Sequence, residues 1–186
     1  NITKWFKVNE NTKNELKNKI YVEKIKNLYN NYEQISKNNG IYFVIASKSI
    51  TKSDILDIVK LNNEKKYKGN LYKLPKLIEK YESIISYKYN NILYIGKAEG
   101  SNGLKERIKK YIQFGYGECK NHSGGRAIWQ LKNNKDFYIA WIECNNDTMD
   151  KKLSNKVESY LIKKYKINNF NNTQCTLNYP FANWRS

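Results

Sequence analysis

Two stretches, GIYFVIA at residues 40–46 and ILYIGKA at residues 92–98, decide how the rest of this chain must be arranged. Both are short apolar runs rich in Ile, Val, Tyr and Phe, and polar or glycine residues bound them. That composition favours a pleated, buried backbone over a helix, so each predicts a buried strand. DFYIAWIEC at 136–144 has the same character and predicts a third strand.

Between and around these runs the spacing of apolar residues changes. Leu16, Ile20, Ile25, Leu28, Tyr32 and Ile35 recur at steps of three to five, which predicts an amphipathic N-terminal helix over 11–36. Asn38, Asn39 and Gly40 would stop it. About 45 residues separate the first two strands, far more than a hairpin needs. Two helices fit there, one from near Ser53 with Ile55, Ile58 and Val59, the other from near Pro75 with Leu77, Ile78, Tyr81, Ile84 and Ile85. A Lys/Asn/Gly loop at 62–70 would join them. Further helices are predicted at 103–112 (Leu104, Ile108, Tyr111, Ile112), after the glycines of HSGGRAIWQL (122–131), and at 150–166 with Leu153, Val157, Tyr160 and Leu161 as its stripe. The expected fold is α+β. It is a single domain over 1–186 with a short, mainly antiparallel sheet flanked by helices, an N-terminal helical extension (1–39) and a helical insertion (47–90) packed on the sheet.

At 186 residues and 40% hydrophobic composition the chain supports one domain with a packed core. Its formal charge of +17 is tolerated most easily beside a polyanion, which makes nucleic acid the first candidate partner and an anionic membrane surface the second. The scatter of charge and the absence of an apolar–basic amphipathic segment speak against the membrane. No apolar run approaches the roughly 18 residues that span a bilayer. Cys119, Cys144 and Cys175 are widely spaced and, with a single His in the chain, form no metal-ligand pattern. A reduced, cytoplasmic setting is the simpler expectation.

GIY at 40–42 and YIG at 94–96 occupy two strands expected at the centre of the sheet, and the second runs through Lys97 towards a helix bearing Arg107 and Tyr111. VESYLI then supplies Glu158 on a late helix, and PFANW supplies Asn183. In this order the set resembles the catalytic core of the GIY-YIG nuclease family, over 40–46 and 92–184 but not over the N-terminal segment or the insertion. The resemblance implies a metal-dependent endonuclease acting on double-stranded DNA, with Tyr42, Tyr94, Lys97, Arg107, Tyr111, Glu158 and Asn183 as its catalytic set. It makes Tyr42 the candidate general base, its pKa lowered by Lys97. Tyr94 and Tyr111 would orient water or phosphate, and Asn183 would be tucked back beside the strands, fixed there by Trp184. The gap between GIY and YIG is longer than the family's usual hairpin.

Elementary chemistry asks for the same parts. Phosphodiester hydrolysis needs an activated water, charge stabilisation at the phosphate and help for the leaving oxygen. One carboxylate in the set suits a single Mg²⁺, with Mn²⁺ as a substitute, because Mg²⁺ keeps most of its waters and takes few protein ligands. Arg107 offers a planar fork for phosphate oxygens within a run of solvated lysines. Tyr42 and Tyr94 are equally open to being core aromatics. Gly96 would let the strand pass close to a helix or to DNA, and Gly103 opens a helix whose first amides would hold a phosphate. His122 and Arg126, with Lys109 and Lys110, are candidate nucleic-acid contacts, although a lone His is as often a cap as a ligand. Trp129 and Trp141 read as core. A non-catalytic nucleic-acid-binding module is the rival, and a repair or mobile-element nuclease the alternative to a restriction or defence enzyme. The oligomeric state stays open, a homodimer on DNA being one arrangement.

Overall fold

The computed structural model describes residues 20–49, 51, 54, 66–67, 70–71, 82, 91–118, 122, 125–129, 131–144, 157–163, 165 and 183, with backbone alone at 66–67, 70–71, 126 and 127. The fold is α+β. Four antiparallel strands, β1 (Ile20–Lys24), β2 (Gly40–Ile45), β5 (Ile92–Ala98) and β6 (Tyr138–Glu143), form one sheet in the order β1-β6-β2-β5. A separate two-stranded ladder joins β3 (Lys66–Tyr67) to β4 (Asn70–Leu71). The helices are α1 (Ile25–Asn30), α2 (Gly103–Tyr116), the single-turn α3 (Gly125–Ile128) and a helix over 157–163 that includes 165, here α4.

Strand β2 pairs on both sides, and its first five residues are buried, which accounts for its unbroken apolar sequence. The YIG strand β5 is not central as expected: it is the outer strand, hydrogen-bonded in the sheet to β2 alone. Gly40 has a steric reason. A Cβ there would stand 2.2 Å from the Ile142 carbonyl oxygen and 2.7 Å from Leu104 Cδ1, so β2, β6 and α2 meet at a point with no room for a side chain.

Helix α2 covers the sheet with Leu104, Ile108, Tyr111 and Ile112, all fully buried, as its spacing predicts. Its start is closed. Leu104 N–H donates to Asn38 O (2.9 Å), Lys105 N–H to Ser36 O (3.0 Å) and Gly103 N–H to Gly100 O (3.2 Å). The expectation that these amides hold a phosphate is therefore wrong, because the carbonyls of Gly100, Asn38 and Ser36 already take them. The helix ends on Gly117 at φ 85°, with Glu118 N–H reaching back to Gln113 O.

The predicted N-terminal helix over 11–36 is corrected. Residues 11–19 lie outside the described residues; 20–24 form β1, paired with β6 from Ile20↔Ile142 to Lys24↔Tyr138. The helical spacing was coincidental: β-branched and aromatic residues in IYVEK suit a strand, and β6 has a free edge that rewards one. Only six residues, from Ile25, are α-helical, followed by a 3₁₀ turn at Tyr32–Gln34. In α4 the buried residues are Leu161, Ile162 and Tyr165, whereas Tyr160, expected in the stripe, is exposed. Of the insertion, the loop foreseen at 62–70 carries the β3–β4 ladder. Asp54 is helical and its carboxylate accepts Thr51 N–H at 2.9 Å, a capping arrangement close to the predicted start at Ser53. Glu82, within the second predicted insertion helix, is helical; the remainder of the two insertion helices, together with Cys119, Cys175, Leu153 and Trp184, lies outside the described residues. Among the described residues no helix is long and apolar enough to cross a membrane.

Gly40→Ala should lower stability by about 3 kcal/mol or more, because backbone and not a flexible side chain stands in the way. Urea denaturation would show it as a reduced midpoint, and an unchanged midpoint would contradict the packing at Gly40.

Candidate active site

The site begins with an absence. Tyr42 on β2 lies opposite Gly96 on β5. A Cβ at Gly96 would fall 2.4 Å from Tyr94 Cε1 and 2.8 Å from Tyr42 Cε1, so both phenol rings fold over the space that a side chain would fill. Their centroids are 5.6 Å apart at 57°. The glycine of YIG thus serves the two tyrosines, and not the strand's approach to a helix or to DNA.

Arg107 projects from α2 on the same edge as Tyr111, half-buried, and reaches both phenols. Its own pKa is held up, first by Tyr42 and also by Tyr94. Tyr42 is fully buried, and burial pushes its phenol far above the ordinary 10.0, with Tyr94 adding to the rise and Arg107 opposing it. The expected lowering by Lys97 is therefore overturned on two counts. The cation acting on Tyr42 is Arg107, and desolvation outweighs it. Tyr42 Oη lies near Tyr94 and Arg107 yet completes no hydrogen bond of ordinary geometry. Tyr94 is likewise raised, by burial first. Lys97 instead pairs its ammonium with Glu99 at 3.2 Å.

Glu158 sits half-buried on α4, at the edge of the stripe formed by Leu161 and Ile162. The Lys97 backbone amide donates to its carboxylate, and Lys97 and Arg107 favour its charged form. Burial nevertheless dominates and raises its pKa, and Glu99 adds repulsion. Glu158 is thus a carboxylate of the cluster that could ligate a cation. Among the described residues no three His, Cys, Asp or Glu side chains gather, so an ion there would keep waters as most of its ligands. Glu99 was missed from sequence, although its position two residues after Lys97 on an extended chain places both on one side.

Tyr111 is buried against Trp129 (5.4 Å) and His122 (5.2 Å, edge to face), and its Oη has no partner among the described residues. His122 is buried too. Its Nδ1 accepts the Gly125 amide at 2.9 Å, and burial followed by Arg107 pushes its pKa down to about 3. The capping role and the place at the site coincide in one residue. Arg126 is placed by backbone alone, in α3. Trp129 and Trp141 are core, as expected.

Asn183 is buried and bidentate on one residue. Its Oδ1 accepts Ile95 N–H at 2.9 Å and its Nδ2 donates to Ile95 O at 2.7 Å. The amide occupies the outer edge of β5 as a neighbouring strand would, so Asn183 is a positioning residue and not a group presented to a substrate. Lys109 and Lys110 do not join the cluster. Lys109 lies over the Tyr32 ring and Lys110 pairs with Glu106, both on exposed helix surface.

Compared with known proteins, the chain matches no family model, no curated protein and no solved structure.

Buried Tyr42 and Tyr111 both have phenols raised well above 10.0. A raised folded-state pKa contributes stability that is complete below the unfolded value, about pH 10, and is lost above it. Stability should hold to that pH and then fall by roughly 1.4 kcal/mol per pH unit for each phenol. Melting curves between pH 8 and 11.5 check this, and ionisation of these phenols without unfolding would contradict it.

Proposed function

We propose that this chain is a metal-dependent endonuclease hydrolysing phosphodiester bonds of double-stranded DNA. A GIY-YIG-type core and a restriction or defence role are the preferred family and biology. One observation carries the proposal: Arg107 stands between two buried phenols, and within their field lies a half-buried carboxylate seated on the Lys97 amide. A cation and an undercompensated carboxylate side by side suit a phosphate with its counter-ion. The +17 formal charge suits the polyanion as a whole.

In this scheme Glu158 holds Mg²⁺ or Mn²⁺, which supplies Lewis-acid stabilisation and an acidified water when bound. Arg107 places its fork on the phosphate oxygens and stabilises charge that grows during hydrolysis. Tyr42 and Tyr94 hold the phosphate or its water by their hydroxyls. With a phenol as high as that of Tyr42, a base role leaves only a small ionised fraction at neutral pH, so positioning is its main contribution. Lys97 donates its backbone amide to Glu158 and its ammonium to Glu99. Asn183 keeps β5, and hence Tyr94 and Gly96, in place.

Arg107→Ala should slow cleavage of plasmid DNA by about 10²–10³ while weakening DNA binding far less. Lys105→Ala, on the same helix as Arg107 and with its ammonium paired to Glu33 of the 3₁₀ turn, is the control and should cost little. Equal losses in the two variants would reduce Arg107 to part of a diffuse basic surface.

Glu158→Gln keeps the side-chain size and removes the charge. It should fold, bind DNA at least as well as the parent chain, and fail to cleave even at raised Mg²⁺. A non-catalytic binding module would show no Mg²⁺-dependent, chelator-sensitive cleavage in the parent chain at all. A Gln variant cutting at the parental rate would remove Glu158 from the mechanism.

A further inference from the structure

His122 is the chain's only histidine, and it is 1% exposed. Both ring nitrogens must therefore find partners inside the protein or remain unsatisfied. Nδ1 accepts the Gly125 N–H at 2.9 Å. A neutral imidazole has one donor and one acceptor, so a ring that accepts at Nδ1 carries its proton at Nε2. Among the described residues that Nε2–H has no partner, nor has the nearby Tyr111 Oη, and Tyr42 Oη beside Arg107 completes no bond of ordinary geometry. An orphaned buried donor costs on the order of 1–3 kcal/mol, which a ligand atom would recover.

We propose that His122 is a phosphate-binding residue of this site, donating from Nε2–H to an oxygen of the phosphate that Arg107 engages, and that it is neither general acid nor general base. The proposal rests on the phosphodiester reading of the site and specifies the atom, the tautomer and the charge state. A neutral donor adds a hydrogen bond to an anion without repelling the guanidinium. An imidazolium would repel Arg107 and would release the Gly125 amide, because Nδ1 could no longer accept. The charged and titratable neighbours acting on the ring come from α2, namely Arg107 by its charge and Tyr111 by ring contact. Burial and Arg107 also hold the ring neutral, with a pKa near 3.

Capping and donation are separable by substitution. Asn reaches the Nδ1 position and is a good helix cap, but it does not extend to Nε2. Gln extends an N–H about as far as Nε2. His122→Asn should fold with a melting temperature close to the parent's yet bind and cleave DNA about 10- to 100-fold less well, the worth of one hydrogen bond to a charged group. His122→Gln should retain most of the activity. In the unsubstituted protein the single imidazole gives unambiguous ¹⁵N resonances. They should show the Nε2–H tautomer, and Nε2 should shift on titration with inorganic phosphate. A fully active Asn variant would overturn the proposal and leave only the cap. So would a rate profile with a limb near pH 6–7 that disappears in the Gln variant, or an Nε2 resonance that phosphate does not move. Should both variants misfold, the phosphate titration decides alone. A phosphate-induced shift without DNA cleavage keeps His122 as an anion ligand and removes the nuclease. Cleavage with an unmoved resonance does the reverse.

Discussion

Everything at this site depends on the volume left empty at Gly96. Two phenol rings occupy the space where a Cβ would be, one from the strand that carries the glycine and one from the strand beside it. Their packing brings both hydroxyls under α2, where Arg107 meets them. A methyl group at Gly96 would have to displace at least one ring, and the guanidinium would lose its partners. The β-sheet register, the glycine and the arginine are thus one constraint expressed three times. The register sets Tyr42 opposite Gly96, and the Leu104–Ile108–Ile112 stripe seats α2 so that Arg107 faces inwards.

The cluster is costly to fold around. Tyr111 Oη and His122 Nε2 are buried without hydrogen-bond partners among the described residues, and Tyr42 Oη, beside Tyr94 and Arg107, completes no bond of ordinary geometry. Burial raises the pKa of Glu158 against the opposing charges of Lys97 and Arg107. Natural cores seldom leave several such groups together unless something else completes them. Each unsatisfied atom is a donor or an amphoteric hydroxyl, and together with Arg107 they match the acceptor-rich surface of a phosphate.

Much of this was legible in the sequence. The three strands GIYFVI, ILYIGKA and YIAWIE are where their composition put them, and α2 buries the four residues its spacing singled out. Arg107, Tyr42 and Tyr94 come together, with Glu158 within their field. What failed did so for long-range reasons. Ile20–Lys24 reads as helix until β6 supplies a partner, which no local pattern reveals. The phenol of Tyr42 was expected, by resemblance, to be acidified by Lys97, whereas burial and Arg107, 65 residues further on, decide its state. Glu99 was invisible because its meaning comes from Lys97 and Glu158 and not from any motif. Asn183 was recognised for the right place, but its amide serves the sheet.

That amide also sets a timetable. Ile95 and Asn183 are 88 residues apart, and the bond between them supplies the outer edge of β5 with the partner a further strand would give. On a ribosome adding about 5–20 residues per second, those residues take on the order of 4–18 s to synthesise. Throughout that interval the strand bearing Tyr94 and Gly96 has one edge open, in a chain whose sheet is otherwise able to assemble up to β6. The exposed stretch is apolar and suited to pairing with a copy of itself, the usual hazard of an unprotected edge. Selection on the polar residues around this strand therefore bears on solubility during synthesis as much as on the finished site. The corollary is that one edge of the strand beneath the tyrosine cluster stays without this partner until Asn183 has been made.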